Sequence, residues 1–319
     1  MELKPWTEVG IAAVHGLVEV CERVDEAPFL TSLTELEYRV GEPHFDPGTD
    51  AMVVVDGGDL LGWATVWHEP SGERLERCHL SGSVPPDHRG LGVGSRLLAW
   101  QVERGKAQLG AYDHDLPRFL RTFERAEQRD AHALLEDHGF AAVRWFEELL
   151  RPVEPLDAPE PTGIQIVPWD DSLSEAVRTV KNRAFGDHWG STPTGEEAWV
   201  AWMADPMVRL DLSRIALDDG RVVGYSINAH YPEDEERTGR RDGWIDSLGV
   251  LAECRGRGIA STLIAHSVTA FADAEFTHAL LGVDSDNPTG AAGLYRRLGF
   301  APLHRSVTHE LEVGSAGSR

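Results

Sequence analysis

Cysteine is scarce in this chain of 319 residues: Cys21, Cys78 and Cys254 are the only three, far apart and odd in number. That argues against a disulfide framework or a structural zinc cluster and fits a reducing, cytoplasmic setting. Basic residues are few as well, 30 against 53 acidic ones, for a formal charge of −23. Such a surface repels nucleic acid and anionic lipid at long range, so any anionic ligand needs a locally basic or amide-rich site. No run of about eighteen apolar residues occurs, so no membrane span is expected. The opening MELKPWTEVG lacks the basic-then-apolar order of a signal peptide. Neither of two glycine-rich stretches ends in Gly-Lys-Ser/Thr, which excludes a nucleoside triphosphate loop, and neither has the glycine spacing of a dinucleotide fingerprint.

What is present is a duplication. Apolar residues make up 41% of the chain, enough for each half to bury its own core. The segment RPVEPLDAPEPTG, residues 151–163, reads as an exposed, semi-rigid linker. On either side of it the sequence echoes itself in one order. KPWTE matches VPWDD, GDLLGWATVW matches GRVVGYSINA, HRGLGVGSRLL matches CRGRGIASTLI, and DHGF matches RLGF. The offsets are 163, 162, 166 and 160 residues, a loop-sized drift. The expected organisation is a first domain at 1–150, a linker at 151–163 and a second domain at 164–319. Each half reads as a strand, helical segments, a hairpin, a strand into the glycine loop, a helix, a strand, a helix and a last strand. That is a mixed α/β layer.

The glycine loop follows a strand and opens a helix. A helix N-terminus carries unpaired N–H groups and partial positive charge, which suits phosphate. In the second half Gly256 and Gly258 let the backbone curl. Ile259, Ala260 and Ser261 open the helix, and Arg255 and Arg257 add guanidinium donors. The first half repeats this with Arg89, Gly90, Gly92, Gly94 and Ser95. The plain alternative is a turn that only caps a helix.

Both loops satisfy Arg-x-x-Gly-x-Gly/Ala after a strand. Later in the second half comes NPTGAAGLYRRLGF. Here the chain resembles the GNAT superfamily of acyl-CoA N-acyltransferases, most strongly from Trp244 to Phe300. The resemblance implies two tandem GNAT-like mixed-sheet domains forming a pseudo-dimer within a monomer. It also implies acetyl-CoA as acyl donor without a metal, and a small-molecule amine as acceptor. It places the loop amides on the coenzyme pyrophosphate and the backbone of Leu248, Gly249 and Val250 on the pantetheine arm and thioester carbonyl. It puts Asn287 near the coenzyme and makes Tyr295 the proton donor to the departing thiolate. An amine nucleophile needs a base near neutral pH. Asp246, two residues before Leu248 and so on its face by simple alternation, is the candidate.

In the first half Leu80, Leu135 and Glu127 take the places of Asp246, Tyr295 and Asn287. That half is therefore expected to be degenerate, whether or not it binds coenzyme, and the second half catalytic. His188 and Trp189 are acceptor-pocket candidates, whereas Trp199, Trp202 and Met203, at helical spacing, read as core. The charge run YPEDEERTGRR reads as a solvated hairpin end. The tandem arrangement also resembles the mycothiol synthase family, which acetylates an aminosugar-cysteine conjugate. That family has an acidic residue where this chain has Trp244. Two other classes stay open at this level: a non-enzymatic acyl-CoA-binding sensor, and, more remotely, a nicotinamide enzyme.

Overall fold

The computed structural model describes residues 1–68, 70–113, 115–158, 160–286 and 290–314. The first part of the chain holds β1 (Glu2–Pro5), α1 (Ile11–Val24), α2 (Leu33–Val40), β2 (Ala51–Asp56), β3 (Asp59–His68) and β4 (Glu76–Ser83). It continues with α3 (Val93–Gly110), β5 (Arg118–Arg125), α4 (Arg129–Asp137) and β6 (Ala141–Pro152). The second part holds β7 (Ile164–Pro168), α5 (Ser174–Ala184), α6 (Glu196–Met203), β8 (Arg214–Asp218), β9 (Arg221–His230), α7 (Glu233–Thr238) and β10 (Asp242–Val250). It ends with α8 (Ile259–Asp273), β11 (His278–Asp284), α9 (Ala291–Arg297) and β12 (Ala301–Glu312).

The chain forms two compact units. The first is Met1–Arg144 together with the chain from Ser306 on; the second is Trp145–Arg305. Residues 145–163, expected to end the first half and to link, thus belong to the second unit. The strand expected to close the second half belongs to the first. In the first unit the strand order is β1-β2-β3-β4-β5-β12 and in the second β7-β8-β9-β10-β11-β6. Among the described residues, the parallel pair in each is the one joined through the glycine loop's helix, β4 with β5 and β10 with β11. The outer pairs are antiparallel, including β12 on β5 and β6 on β11. The start of the proline-rich stretch is not free: Arg151 is buried, donates to the Leu298 carbonyl at 2.7 Å, and Val153 and Leu156 pack on the second core.

Helix α3 buries Val93, Leu97, Leu98, Gln101, Gly105 and Leu109, one stripe at helical spacing, against β2 to β5. Helix α8 does the same on β8 to β11 with Ile259, Leu263, Ile264, Val268 and Phe271. On the opposite face α1 covers the first sheet and α5 the second. These layers hold each glycine loop at one end of a sheet. The charge run after β9 is a short helix, not a loose hairpin end. Asp234 in α7 is buried, and His230 Nε2 faces a Glu235 carboxylate oxygen at 3.1 Å.

Candidate functional site

The two glycine loops have the same backbone. Gly90 and Gly92 have φ of 71° and 84°; Gly256 and Gly258 have φ of 77° and 88°. These left-handed values favour glycine, and the second of each pair is the residue that starts the helix. The first helical bond of α8 runs from the Thr262 N–H to the Gly258 carbonyl at 3.1 Å, and that of α3 from Arg96 to Gly92. The amides of Ile259, Ala260 and Ser261 therefore face out of the helix end. Val93, Gly94 and Ser95 hold the same places in the first unit.

The arginines also tie the loops to their surroundings. Arg255 donates to the Val250 carbonyl at 3.2 Å and the Ala184 carbonyl at 2.9 Å, tying the loop to the ends of β10 and α5. Arg257 pairs with Asp218 at 2.6 Å. Arg89 donates to the Val84 carbonyl and makes a two-pronged pair with Asp25, 2.7 Å on each arm. Much of their donor capacity thus shapes the loops, and the backbone amides are what the loops leave open to an anion.

Beside the second loop the sheet comes apart. β10 pairs with β11 from Asp242 to Ile245 only. From Asp246 onward the β10 edge that faces β11 has no strand partner among the described residues, and it includes Leu248, Gly249 and Val250. On its other side β10 pairs with β9, but the register slips between Ile245 and Ser247. Asp246 is the extra residue of that bulge, which interrupts the alternation assumed between it and Leu248. Downstream of the bulge the strand is tightly held. The Tyr225 hydroxyl bonds the Ser247 hydroxyl at 2.8 Å, and a Cβ on Gly249 would stand 2.6 Å from the buried Tyr225 ring. Gly249→Ala should therefore destabilise the protein by about 1–3 kcal/mol and displace the unpaired edge. Thermal denaturation and an acetyl-transfer assay check both parts.

Asp246 is open to solvent at its surface, yet protein surrounds it at longer range. Desolvation, with Asp205 adding repulsion, pushes its carboxyl up to about 6; the nearby Trp202 indole N–H partly offsets this. Trp202 is half-buried and meets the core residue Trp199 edge-on, with ring centroids 5.5 Å apart. Trp199 and Met203 are thus core contacts as expected from their spacing, but Trp202 also reaches the site. The helical spacing alone gave no sign of that.

Tyr295, on α9, packs half-buried beside Phe300 at 6.2 Å between centroids. Burial pushes its phenol up to about 12. His188 lies in the turn after α5, its ring 4.5 Å from that of Phe185. Burial lowers it first, and Arg255 lowers it further, while Asp284 and Asp187 work the other way. These neighbours put His188 between the loop and the end of β11. Trp189 follows it, half-buried. Asn287 lies outside the described residues.

The first unit repeats the parting of strands without the bulge. β4 pairs with β5 from Glu76 to His79 only, but its ladder with β3 runs unbroken from Trp63↔Ser83 to His68↔Cys78. Leu80, opposite Val66, is buried in the core under α3. Leu135, at the place of Tyr295, is buried in the same core.

A model of the Acetyltransferase (GNAT) family matches residues 17–140 and 174–300, once in each half. The chain is 28% identical over 320 residues to mycothiol acetyltransferase of Pseudarthrobacter chlorophenolicus, covering 92% of this chain and 90% of that protein. Among solved structures, a GCN5-related N-acetyltransferase from Sphaerobacter thermophilus matches with a TM-score of 0.77 at 26% identity, over 98% of this chain and 95% of that one. A tandem GNAT protein from the clavulanic acid biosynthesis pathway shares the fold with a TM-score of 0.69 at 18% identity, over 98% and 99% of the two chains.

Proposed function

The chain belongs to the acetyltransferase (GNAT) family, and on that premise we propose that its second unit transfers an acetyl group from acetyl-CoA to a primary amine of a small molecule by direct attack. One observation carries the choice of unit. Both units have the amide-rich loop and the parted strands, but only the second has a carboxylate at the bulge, Asp246, and a phenol on the following helix, Tyr295. The residues present suit the coenzyme. The outward amides from Gly256 to Ser261 would hold its pyrophosphate, and the unpaired edge at Leu248, Gly249 and Val250 would orient the arm and the carbonyl. When bound, acetyl-CoA supplies a thioester carbonyl as electrophile and a thiol as leaving group.

Asp246 receives the proton that an incoming ammonium must lose. At about 6 its carboxyl is mostly ionised at neutral pH and still a better base than an ordinary aspartate. Tyr295 stays protonated throughout that range. With a thiol ordinarily near 8.5, full transfer from this phenol to sulfur is uphill, so Tyr295 acts by donating a hydrogen bond to the sulfur as charge develops there. His188 and Trp189 stand at the acceptor side. Trp244, with Tyr231 edge-on at 6.3 Å, supplies an aromatic wall two residues before the base. The names of the curated relatives support a small-molecule acceptor.

The test is thiol release from acetyl-CoA by the full chain with a panel of amines: an aminosugar-cysteine conjugate, aminoglycosides, polyamines and peptide N-termini. Acceptor-dependent release with one class is expected. Coenzyme binding with no release across the panel would favour a sensor instead.

A further inference from the structure

The first unit holds a cavity of about 490 Å³ at the far end of α3 from its glycine loop. That is the size of a small-molecule site. Its wall is made by the turn before β2 and the last turns of α3, and the end of β3 reaches it at His68. Acetyl transfer as described above uses none of these residues.

The wall carries both signs of charge in fixed places. Asp50 is only 2% exposed. Its carboxylate accepts from Arg104 Nε at 2.6 Å, Gln108 Nε2 at 2.9 Å and the Asp46 amide at 2.9 Å. Gln108 accepts in turn from the buried Cys78 thiol on β4, at 3.3 Å. These bonds lock the turn onto α3 and satisfy Asp50. Arg104 Nη2 donates to Thr49 Oγ1 at 3.2 Å, and Thr49 Oγ1 donates to Asp46 Oδ2 at 3.0 Å. A guanidinium and a carboxylate therefore stand two hydrogen bonds apart on one wall. Solvent reaches both: 31% of the Arg104 side chain is exposed, and Asp46 is exposed. Among the described residues Arg104 Nη1 makes no bond and Asp46 has no cationic partner.

A ligand with one charge gains from one of these groups and loses to the other. A ligand with both charges close together gains from both, and an α-amino acid carries its ammonium and carboxylate on one carbon. Rings make up much of the remaining lining. Phe45, His68 and Tyr112 all border the cavity. The Tyr112 ring stands edge-on to His68 at 4.9 Å, and His68 is fixed by Glu76, 2.8 Å from its Nε2. Such rings favour a further ring against them.

We propose that this cavity binds a free aromatic α-amino acid. The ligand's carboxylate accepts from Arg104 Nη1, its ammonium donates to Asp46, and its ring lies among Phe45, His68 and Tyr112. The site shares no residue with either glycine loop and stands whichever unit is catalytic.

L-Phenylalanine is the probe, titrated calorimetrically into the full chain without coenzyme. Beside it go hydrocinnamate, which lacks the ammonium, and phenethylamine, which lacks the carboxylate. One equivalent of phenylalanine should bind, and each analogue should bind about ten-fold or more weakly. Asp46→Asn keeps an acceptor for the Gly48 amide, 3.0 Å away, and removes the charge. Ala107→Trp fills the cavity from an exposed position on α3. Each variant should weaken Kd for phenylalanine about ten-fold or more while its thermal denaturation stays cooperative. The proposal is overturned by no phenylalanine binding at millimolar concentration, by either analogue binding as tightly, or by unchanged affinity in either folded variant. If a variant fails to fold, the three compounds compared on the parent chain decide.

Discussion

Asp246→Asn should lower acetyl transfer near neutral pH by about 10²–10⁴-fold, the range for removal of a positioned general base. The pH profile is the stronger readout. The carboxyl titrates at about 6, raised by desolvation and by Asp205. Its ionised form is the base, so the parent rate should climb as pH rises through about 6 and then level off. The variant should lose that step. Stability should move the other way. An acid with a raised folded-state value stabilises the fold fully below its ordinary range, and that contribution is lost as pH rises through the folded value. At neutral pH Asp246 is therefore held ionised at some cost. Asparagine should leave the melting temperature equal or slightly higher, the gain being small because the side chain is open to solvent. A variant that melts well below the parent would mean that Asp246 serves the bulge rather than the reaction.

Tyr295→Phe should cost about 10²-fold or more in kcat, with KM for acetyl-CoA little changed. The ring contact with Phe300 and the surrounding core remain, so the fold should be unaffected. The loss is confined to the hydrogen bond made as charge builds on sulfur, which is absent from the ground state. Equal falls in kcat for good and poor thiol leaving groups would argue against this role. A deficit that shrinks as the leaving thiol becomes more acidic would support it.

Much of this was legible in the sequence because it is local. Gly90, Gly92, Gly256 and Gly258 sit where the backbone must take positive φ, and residue type reports that directly. The duplication was visible for the same reason: the loop, the hairpin and the Gly-Phe turn each leave a short signature. What stayed hidden depends on pairing between distant segments. Nothing in GWIDSLGV reveals that β9 slips by one residue at Asp246, nor anything in ERCHLSGS that β3 does not slip on β4. An alignment therefore set Leu80 against Asp246 but could not show that His79 faces the other side. The final strands were misassigned by the same limit: β12 joins β5 and β6 joins β11, partners far away in the chain. Arg255 and Arg257 read as phosphate donors by type, but their carbonyl and carboxylate partners come from elsewhere in the fold.

The central claim is that the second loop holds the acyl donor at the working centre. Ser261 and Ser95 occupy the same place, in the first turn of α8 and of α3. An aspartate there suits the helix dipole, so folding is kept, but it repels phosphate. The decisive measurement is the rate of acetyl transfer against acetyl-CoA concentration for Ser261→Asp and Ser95→Asp in parallel. The account predicts a KM for acetyl-CoA raised about ten-fold or more in Ser261→Asp and a rate close to the parent in Ser95→Asp. The reverse pattern would place the reaction in the first unit and contradict it.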